Sequence, residues 1–280
     1  MTQVINNMNS YVEILRPGNA VMALIAVVLM AIIGHTYSFG IVLGAISVFI
    51  ATGAGNTIND YCDYEIDKIN KPDRPIPSGR IKLENALYYS LILFIIASIL
   101  GFFISFENGV TVIICSVLMI VYAYDFKQRC LIGNICVALL TGLTFVYGGL
   151  ITCDVNLGIF LGFFAFLMTL SREIIKDSED IEGDLKEDSN TLPIKYGIKN
   201  AVIIAVILDV LTCILSPVLY VYKVFSVYYM IIVLVADIIF IYSAVLALKD
   251  QSKENLHKVS TYMKIAMFIA FISFAVGSII

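Results

Sequence analysis

Nine stretches of almost continuously apolar residues run through this 280-residue chain, and most of them are long enough to cross the hydrocarbon core of a bilayer. They lie at 20–33, 41–58, 86–106, 110–124, 131–151, 157–175, 201–222, 226–248 and 265–280. In lipid every backbone N–H and C=O must find a partner within the protein, so a spanning segment is either a helix or a strand of a closed barrel. Barrel strands alternate apolar and polar residues, whereas these stretches are apolar throughout, and helices are therefore expected. The first, fourth and ninth fall short of the roughly 20 residues a span needs, so flanking residues must extend them.

Composition supports the same reading. Apolar residues make up 60% of the chain and charged residues 14%, against about 45–50% and 25% in soluble domains. A formal net charge of −4 carries no global basic excess of the kind that marks nucleic-acid binding, so no nucleic-acid partner is expected. The fold class expected is all-α: a polytopic membrane protein of one domain, residues 1–280, with nine transmembrane helices. The N-terminal residues have no basic run before the first stretch and no small-residue cleavage pattern, so a cleaved signal peptide is not expected.

Orientation follows from the placement of Lys and Arg, which concentrate on the cytoplasmic side. With nine spans, 17 of the 18 basic residues fall on one face and only Lys223 on the other. This predicts a multi-pass protein of the cell membrane, N-terminus inside and C-terminus outside. The two longest loops, after the second and sixth stretches, are both on the inner face, so function is expected there. His35 and His257 read as solvated loop residues, and Lys249, Lys253, Lys258 and Lys264 as charges that only orient the chain.

The first long loop reads Gly55-Asn-Thr-Ile-Asn-Asp-Tyr-Cys-Asp-Tyr-Glu-Ile-Asp67, which spaces Asp60, Asp63 and Asp67 at i, i+3, i+7. The second reads Lys176-Asp-Ser-Glu-Asp-Ile-Glu-Gly-Asp184, and Asp177, Asp180 and Asp184 repeat that spacing. On a helix each set shares one face. One such run is commonly no more than a solvated helix face. Two identical runs point further, because like charges at this spacing repel unless cations sit among them. Carboxylates without His or Cys suit a hard cation, and Mg²⁺ binds through one or two carboxylates together with substrate phosphates. Six metal ligands are thus expected: Asp60, Asp63, Asp67, Asp177, Asp180 and Asp184. Basic residues suited to phosphate surround them: Lys68, Lys71, Arg74 and Arg80 after the first run, and Arg172 and Lys176 before the second. Asn56 and Asn59 lie on the first run's face.

Asn59-Asp-x-x-Asp-x-x-x-Asp67, the following Lys71-Pro-Asp-Arg-Pro-Ile-Pro-Ser-Gly79, and Asp177-x-x-Asp-x-x-x-Asp184 resemble the two aspartate-rich motifs of the UbiA-type intramembrane prenyltransferases. The resemblance implies helices around a central cavity under a cytoplasmic cap, with Mg²⁺ bridging both motifs to an isoprenyl diphosphate. The stretches 171–184 and 191–197 are most similar to the archaeal geranylgeranylglycerol-phosphate geranylgeranyltransferase branch, and so is Leu15-Arg-Pro-Gly-Asn19, which brings in Arg16 and Asn19. The resemblance assigns Lys127 a catalytic role at the diphosphate and Tyr124 a substrate-binding one. It implies geranylgeranyl diphosphate as donor and geranylgeranylglyceryl phosphate as acceptor, both embedded among membrane lipids. Arg16, Arg172 and Lys195 are the candidates for the acceptor's phosphate. An aromatic acceptor, a precursor of a quinone or a chlorin, is the nearer alternative. A cation or phosphate carrier is a remote one, since only Asp209 and Asp237 sit well inside spans. The oligomeric state is left open.

Overall fold

The computed structural model describes residues 9–186 and 189–279, and every regular element among them is helical. A short helical stretch at 9–13 is followed by α1 (Pro17–Ile33), α2 (Phe39–Cys62), α3 (Tyr64–Asn70), α4 (Leu83–Ile104), α5 (Phe106–Tyr124) and α6 (Ile132–Thr152). Then come α7 (Val155–Glu179), α8 (Ile181–Lys186), α9 (Leu192–Tyr196), α10 (Ile198–Leu215), α11 (Val218–Val221), α12 (Val227–Lys249) and α13 (Lys253–Ile279). Among the described residues, eight helices are long and apolar enough to cross a membrane, with α10 and α11 together forming one of them. The first apolar stretch forms α1, which at 17 residues is the short one. The fourth and ninth stretches gain the length they lacked: α5 runs to 19 residues, and α13 to 27 by extending into the polar Lys253–Lys264 segment. Pro217 interrupts the seventh stretch, since it has no N–H to continue the helical ladder.

The chain divides into two compact units. The first comprises the residues up to Met30, Tyr37–Phe126 and Thr144–Gly158. Its core is the cluster Val27, Ala51, Ala97, Val112 and Tyr147. Apolar side chains do not drive helices together in lipid, so polar bonds and close small-residue packing must contribute. Ser47 Oγ donates to the Ala97 carbonyl (2.8 Å), joining α2 to α4. Asn108, fully buried, donates through Nδ2 to the Tyr147 carbonyl (3.2 Å), while Ser105 caps α5 by accepting from the Asn108 N–H.

The second unit comprises Ala31–Thr36, Lys127–Leu143 and Ile159–Ile280. Here the α12–α13 pair is closed by an aromatic cluster of Phe225, Tyr229 and Phe274. The Tyr229 hydroxyl donates to the Ser216 carbonyl (2.7 Å). α6 and α7 approach so closely at Gly142 and Gly162 that a Cβ on Gly162 would stand 2.6 Å from the Gly142 carbonyl oxygen. Nothing but hydrogen fits there. Gly162→Ala is therefore expected to cost about 1–3 kcal/mol through backbone displacement, seen as a lower thermal unfolding midpoint in detergent. Gly183→Ala, which meets nothing within 4 Å, serves as the comparison; equal midpoints for the two variants would show that α6 and α7 can separate freely.

Candidate active site

The two acidic runs have the same local architecture. Asp60 lies in the last turn of α2, Asp63 is the single residue between α2 and α3, and Asp67 lies in α3. Asp177 lies in the last turn of α7, Asp180 is the single residue between α7 and α8, and Asp184 lies in α8. The junctions are not clean breaks. Asp63 N–H donates to the Asn59 carbonyl (2.9 Å) and Asp67 N–H to the Asp63 carbonyl (2.8 Å). Asp180 N–H and Asp184 N–H do the same to Lys176 and Asp180, at 2.9 and 3.1 Å. Helical hydrogen bonding thus runs through each bend, which keeps the i, i+3, i+7 carboxylates related as the sequence spacing requires.

Their environments differ. In the first run all three carboxylates are buried, with Asp60 and Asp67 only 3% exposed. Buried charge requires a counter-charge, and two arginines supply it. Arg74 Nη1 donates to Asp60 Oδ1 (3.0 Å) and to Asp67 Oδ2 (2.5 Å), spanning both carboxylates with one guanidinium nitrogen. Arg16 pairs with the same oxygen, Asp60 Oδ1. Asn59 Nδ2 donates to Asp63 Oδ2 (3.0 Å), while its own Oδ1 is buried without a hydrogen bond.

Local sequence explains how both arginines arrive. Pro72, Pro75 and Pro77 keep the segment after α3 out of a helix, and Ser78 N–H to the Arg74 carbonyl (3.0 Å) folds it into a turn. Buried Ile76 and Ile81 fasten that turn to Ile14 and Ala86. Asn56 Nδ2 donates to the Leu15 carbonyl (2.8 Å), so Asn56 anchors the backbone just ahead of Arg16. Arg16 then takes φ of 49°, a left-handed conformation that costs a side-chain-bearing residue about 1–2 kcal/mol. Pro17 begins α1, where its missing N–H leaves no bond unmade.

In the second run Asp177 and Asp184 are half-buried and Asp180 is exposed. Asn134 of α6 donates through Nδ2 to Asp177 Oδ2 (2.8 Å). On the same helix Arg172 Nη1 donates to Glu173 Oε1 (2.7 Å), and Lys176 Nζ stands 3.5 Å from Glu173 Oε2. Glu179 Oε1 is 2.7 Å from His257 Nδ1 of α13.

A family model, the UbiA prenyltransferase family, matches residues 20–272. The chain belongs to that family. A digeranylgeranylglyceryl phosphate synthase of Methanosphaera stadtmanae is 71% identical over 97% of this chain and 100% of its own. Among solved structures, a digeranylgeranylglyceryl phosphate synthase aligns with a TM-score of 0.86 at 39% identity, covering 98% of this chain and 99% of the other. A UbiA homologue from Archaeoglobus fulgidus, bound to GPP and Mg²⁺, shares the fold at 18% identity and a TM-score of 0.67, over 95% of this chain and 99% of that one.

The remaining expected UbiA-family residues fall into two groups. Lys127 sits on a single 3₁₀ turn, Phe126–Gln128, and is tied down next door by Asn190 N–H donating to the Gln128 carbonyl (2.9 Å). Tyr124 ends α5 with its ring exposed. Others point elsewhere. Lys68 donates to Glu65 (2.9 Å) and lies 4.0 Å over the Tyr64 ring. The Glu65 carboxylate beside it raises its pKa above the usual lysine value. Arg80 forms a two-pronged pair with Glu13 (2.5 and 2.9 Å) and donates to the Asp73 carbonyl (2.6 Å), which fastens the loop. Lys195 is exposed over the Tyr196 ring, and Asn19 is an exposed residue in the first turn of α1.

Sequence reading passed over Asn134 and Glu173 and set His257 aside as solvated. Glu173 carried a usable signal, an acid between Arg172 and Lys176. Asn134 and His257 gained their partners only through packing.

Mg²⁺ suits this donor set. The first triad offers buried carboxylate oxygens and an amide oxygen lacking a partner, with no His or Cys among them. Among the described residues no three acidic, His or Cys side chains already converge as a cage. An ion held through one or two carboxylates would be completed by phosphate. Because Arg74 neutralises Asp60 and Asp67 in the metal-free protein, Arg74→Gln should lower the unfolding midpoint in chelator. Added Mg²⁺ should then restore more stability to the variant than it adds to the wild type. Equal Mg²⁺ responses in the two thermal scans would remove Arg74 from the metal's neighbourhood.

Proposed function

We propose that this protein transfers a geranylgeranyl group from geranylgeranyl diphosphate to the free hydroxyl of 3-O-geranylgeranylglyceryl 1-phosphate, forming digeranylgeranylglyceryl phosphate and diphosphate. The observation that carries the reading is the repeated helix-end triad, Asp60/Asp63/Asp67 and Asp177/Asp180/Asp184. The near-full-length relative named for this synthase supports the acceptor, and the fold relative bound to GPP and Mg²⁺ supports the metal and the donor class.

Mg²⁺ would be held by Asp60, Asp63, Asp67, Asp177, Asp180 and Asp184, where it would act as a Lewis acid on the diphosphate. The chain's own residues supply the rest. As the donor's C1–O bond breaks, negative charge grows on the departing diphosphate, and Arg74 and Lys127 stabilise it. Arg74 is suited to this because a phosphate oxygen can replace one of its two carboxylate partners. The apolar helices exclude water from the allylic carbocation, so the acceptor oxygen captures it and loses its proton to a carboxylate or to solvent. The basic asymmetry of the loops supports a cytoplasmic N-terminus and active site, with the C-terminus outside the cell membrane.

Asp63→Ala and Asp180→Ala should each lower turnover by at least about a thousandfold and abolish Mg²⁺-dependent donor binding. Near-normal activity in either variant removes that residue from the metal site. The acceptor is decided by supplying labelled donor with a panel of acceptors. Transfer to a hydroxybenzoate and none to geranylgeranylglyceryl phosphate would overturn the assignment in favour of an aromatic acceptor.

A further inference from the structure

Resting on that reading, we propose that Lys264 of α13 joins Arg172 and Lys176 of α7 in a site for the acceptor's phosphate. The contact between Glu179 and His257 sets the register of the two helices. Arg172 stands seven residues before Glu179, and Lys264 seven residues after His257. Seven residues are two helical turns, about 10 Å along the axis and back on the same face. Antiparallel helices joined at 179 and 257 therefore bring 172 and 264 to one level. Lys264 lies within electrostatic reach of Arg172, Lys176, Glu173 and Glu179, as that register requires.

The charges do not balance within the cluster. Glu173 is engaged by Arg172 and Lys176, and Glu179 by His257, which leaves Lys264 with no direct carboxylate partner among the described residues. Arg172 is 15% exposed, and its Nε–H is buried with no acceptor. One turn deeper on α7, the Thr169 hydroxyl is also buried without a partner, in a residue 6% exposed. An unused guanidinium donor, an unused hydroxyl and a surplus cation together describe an anion site. The ligand class is a phosphomonoester, whose three terminal acceptor oxygens match the three donors, the Arg172 Nε–H, the Thr169 hydroxyl and the Lys264 ammonium.

This site is separate from the metal carboxylates. At about 100° per residue, Arg172, Lys176 and Glu179 share one face of α7, whereas Asp177 points about 100° around the helix from Lys176. Arg172 lies about two turns from the C-terminal end of α7 and Lys264 about three turns from the N-terminal end of α13. A phosphorylated lipid acceptor held there keeps its hydrocarbon chain among the helices.

The test uses the full chain in phosphatidylcholine nanodiscs. Lys264→Gln is expected to raise the KM for geranylgeranylglyceryl phosphate about tenfold, leaving kcat and the donor KM within about twofold. Lys264→Arg should recover most of the loss, and Lys253→Gln should match the wild type. An unchanged acceptor KM in Lys264→Gln, or a donor KM that rises equally, overturns the site while the proposed function stands. Calorimetry with dodecyl phosphate and dodecanol tests it without turnover. The wild type should prefer the phosphate by about tenfold, and Lys264→Gln should lose that preference; its retention also overturns the site. If the wild type transfers nothing to a glyceryl ether phosphate, the acceptor assignment has failed and the calorimetry alone decides whether the anion site exists. Abolition of the dodecyl phosphate preference by phosphatidylglycerol in the nanodisc would make it a site for bulk headgroups instead, and would overturn the proposal.

Discussion

A carboxylate buried in a protein whose main solvent is lipid must have a cation beside it, and the site is organised around that requirement. Asp60 and Asp67 lose most of their hydration at the end of an apolar helix, and two more acids lie close by in the chain. The idealised cost of desolvating a carboxylate exceeds what any single helix contact returns. Arg74 and Arg16 meet it in this structure, and the elements that deliver them are specialised to do so: a proline-rich turn pinned by Ile76 and Ile81, and a left-handed residue held by Asn56. The same requirement suits the triad to the Mg²⁺ proposed for it, which would supply positive charge where the arginines now do.

The acids sit at helix ends for a related reason. A span held in lipid can bend only where its freed backbone groups stay satisfied. In both runs the middle aspartate occupies the bend while hydrogen bonding continues through it. Two long helices thus carry a short polar continuation beyond the hydrocarbon without leaving backbone groups unpaired. Elsewhere the helices come together through small residues and isolated polar bonds, as at Gly142 with Gly162 and at Ser47 with Ala97. Sites that admit no Cβ hold the long elements at defined distances, and so hold the functional side chains they carry.

Much of this was legible in the sequence. All nine apolar stretches became helices, and the spacing of both acidic runs anticipated their repeated geometry, because hydrophobic length and helical period are local properties. Arg74 and Arg16 could be named as candidates for phosphate, since each lies within a recognisable motif. Their engagement with Asp60 could not, because it depends on a turn and a left-handed residue folding back over α2. Arg80 and Lys68 resembled Arg74 in sequence, yet pair with Glu13 and Glu65 instead. Nothing in local composition separates three basic residues in one loop; the loop's folding does. His257 and Lys264 looked like ordinary polar positions until α13 was laid beside α7.

The sequence by itself determined that this chain lives in a bilayer, that it is helical, and that it carries two carboxylate runs of identical spacing. These follow from periodicity and from the cost of unsatisfied polar groups in lipid, which act within one segment at a time. Tertiary structure decided which cation serves which acid and which residues of α7 and α13 share a level. Those outcomes depend on contacts between residues such as Glu179 and His257, 78 positions apart. Such contacts are set by the register of packed helices, and no segment contains that register on its own.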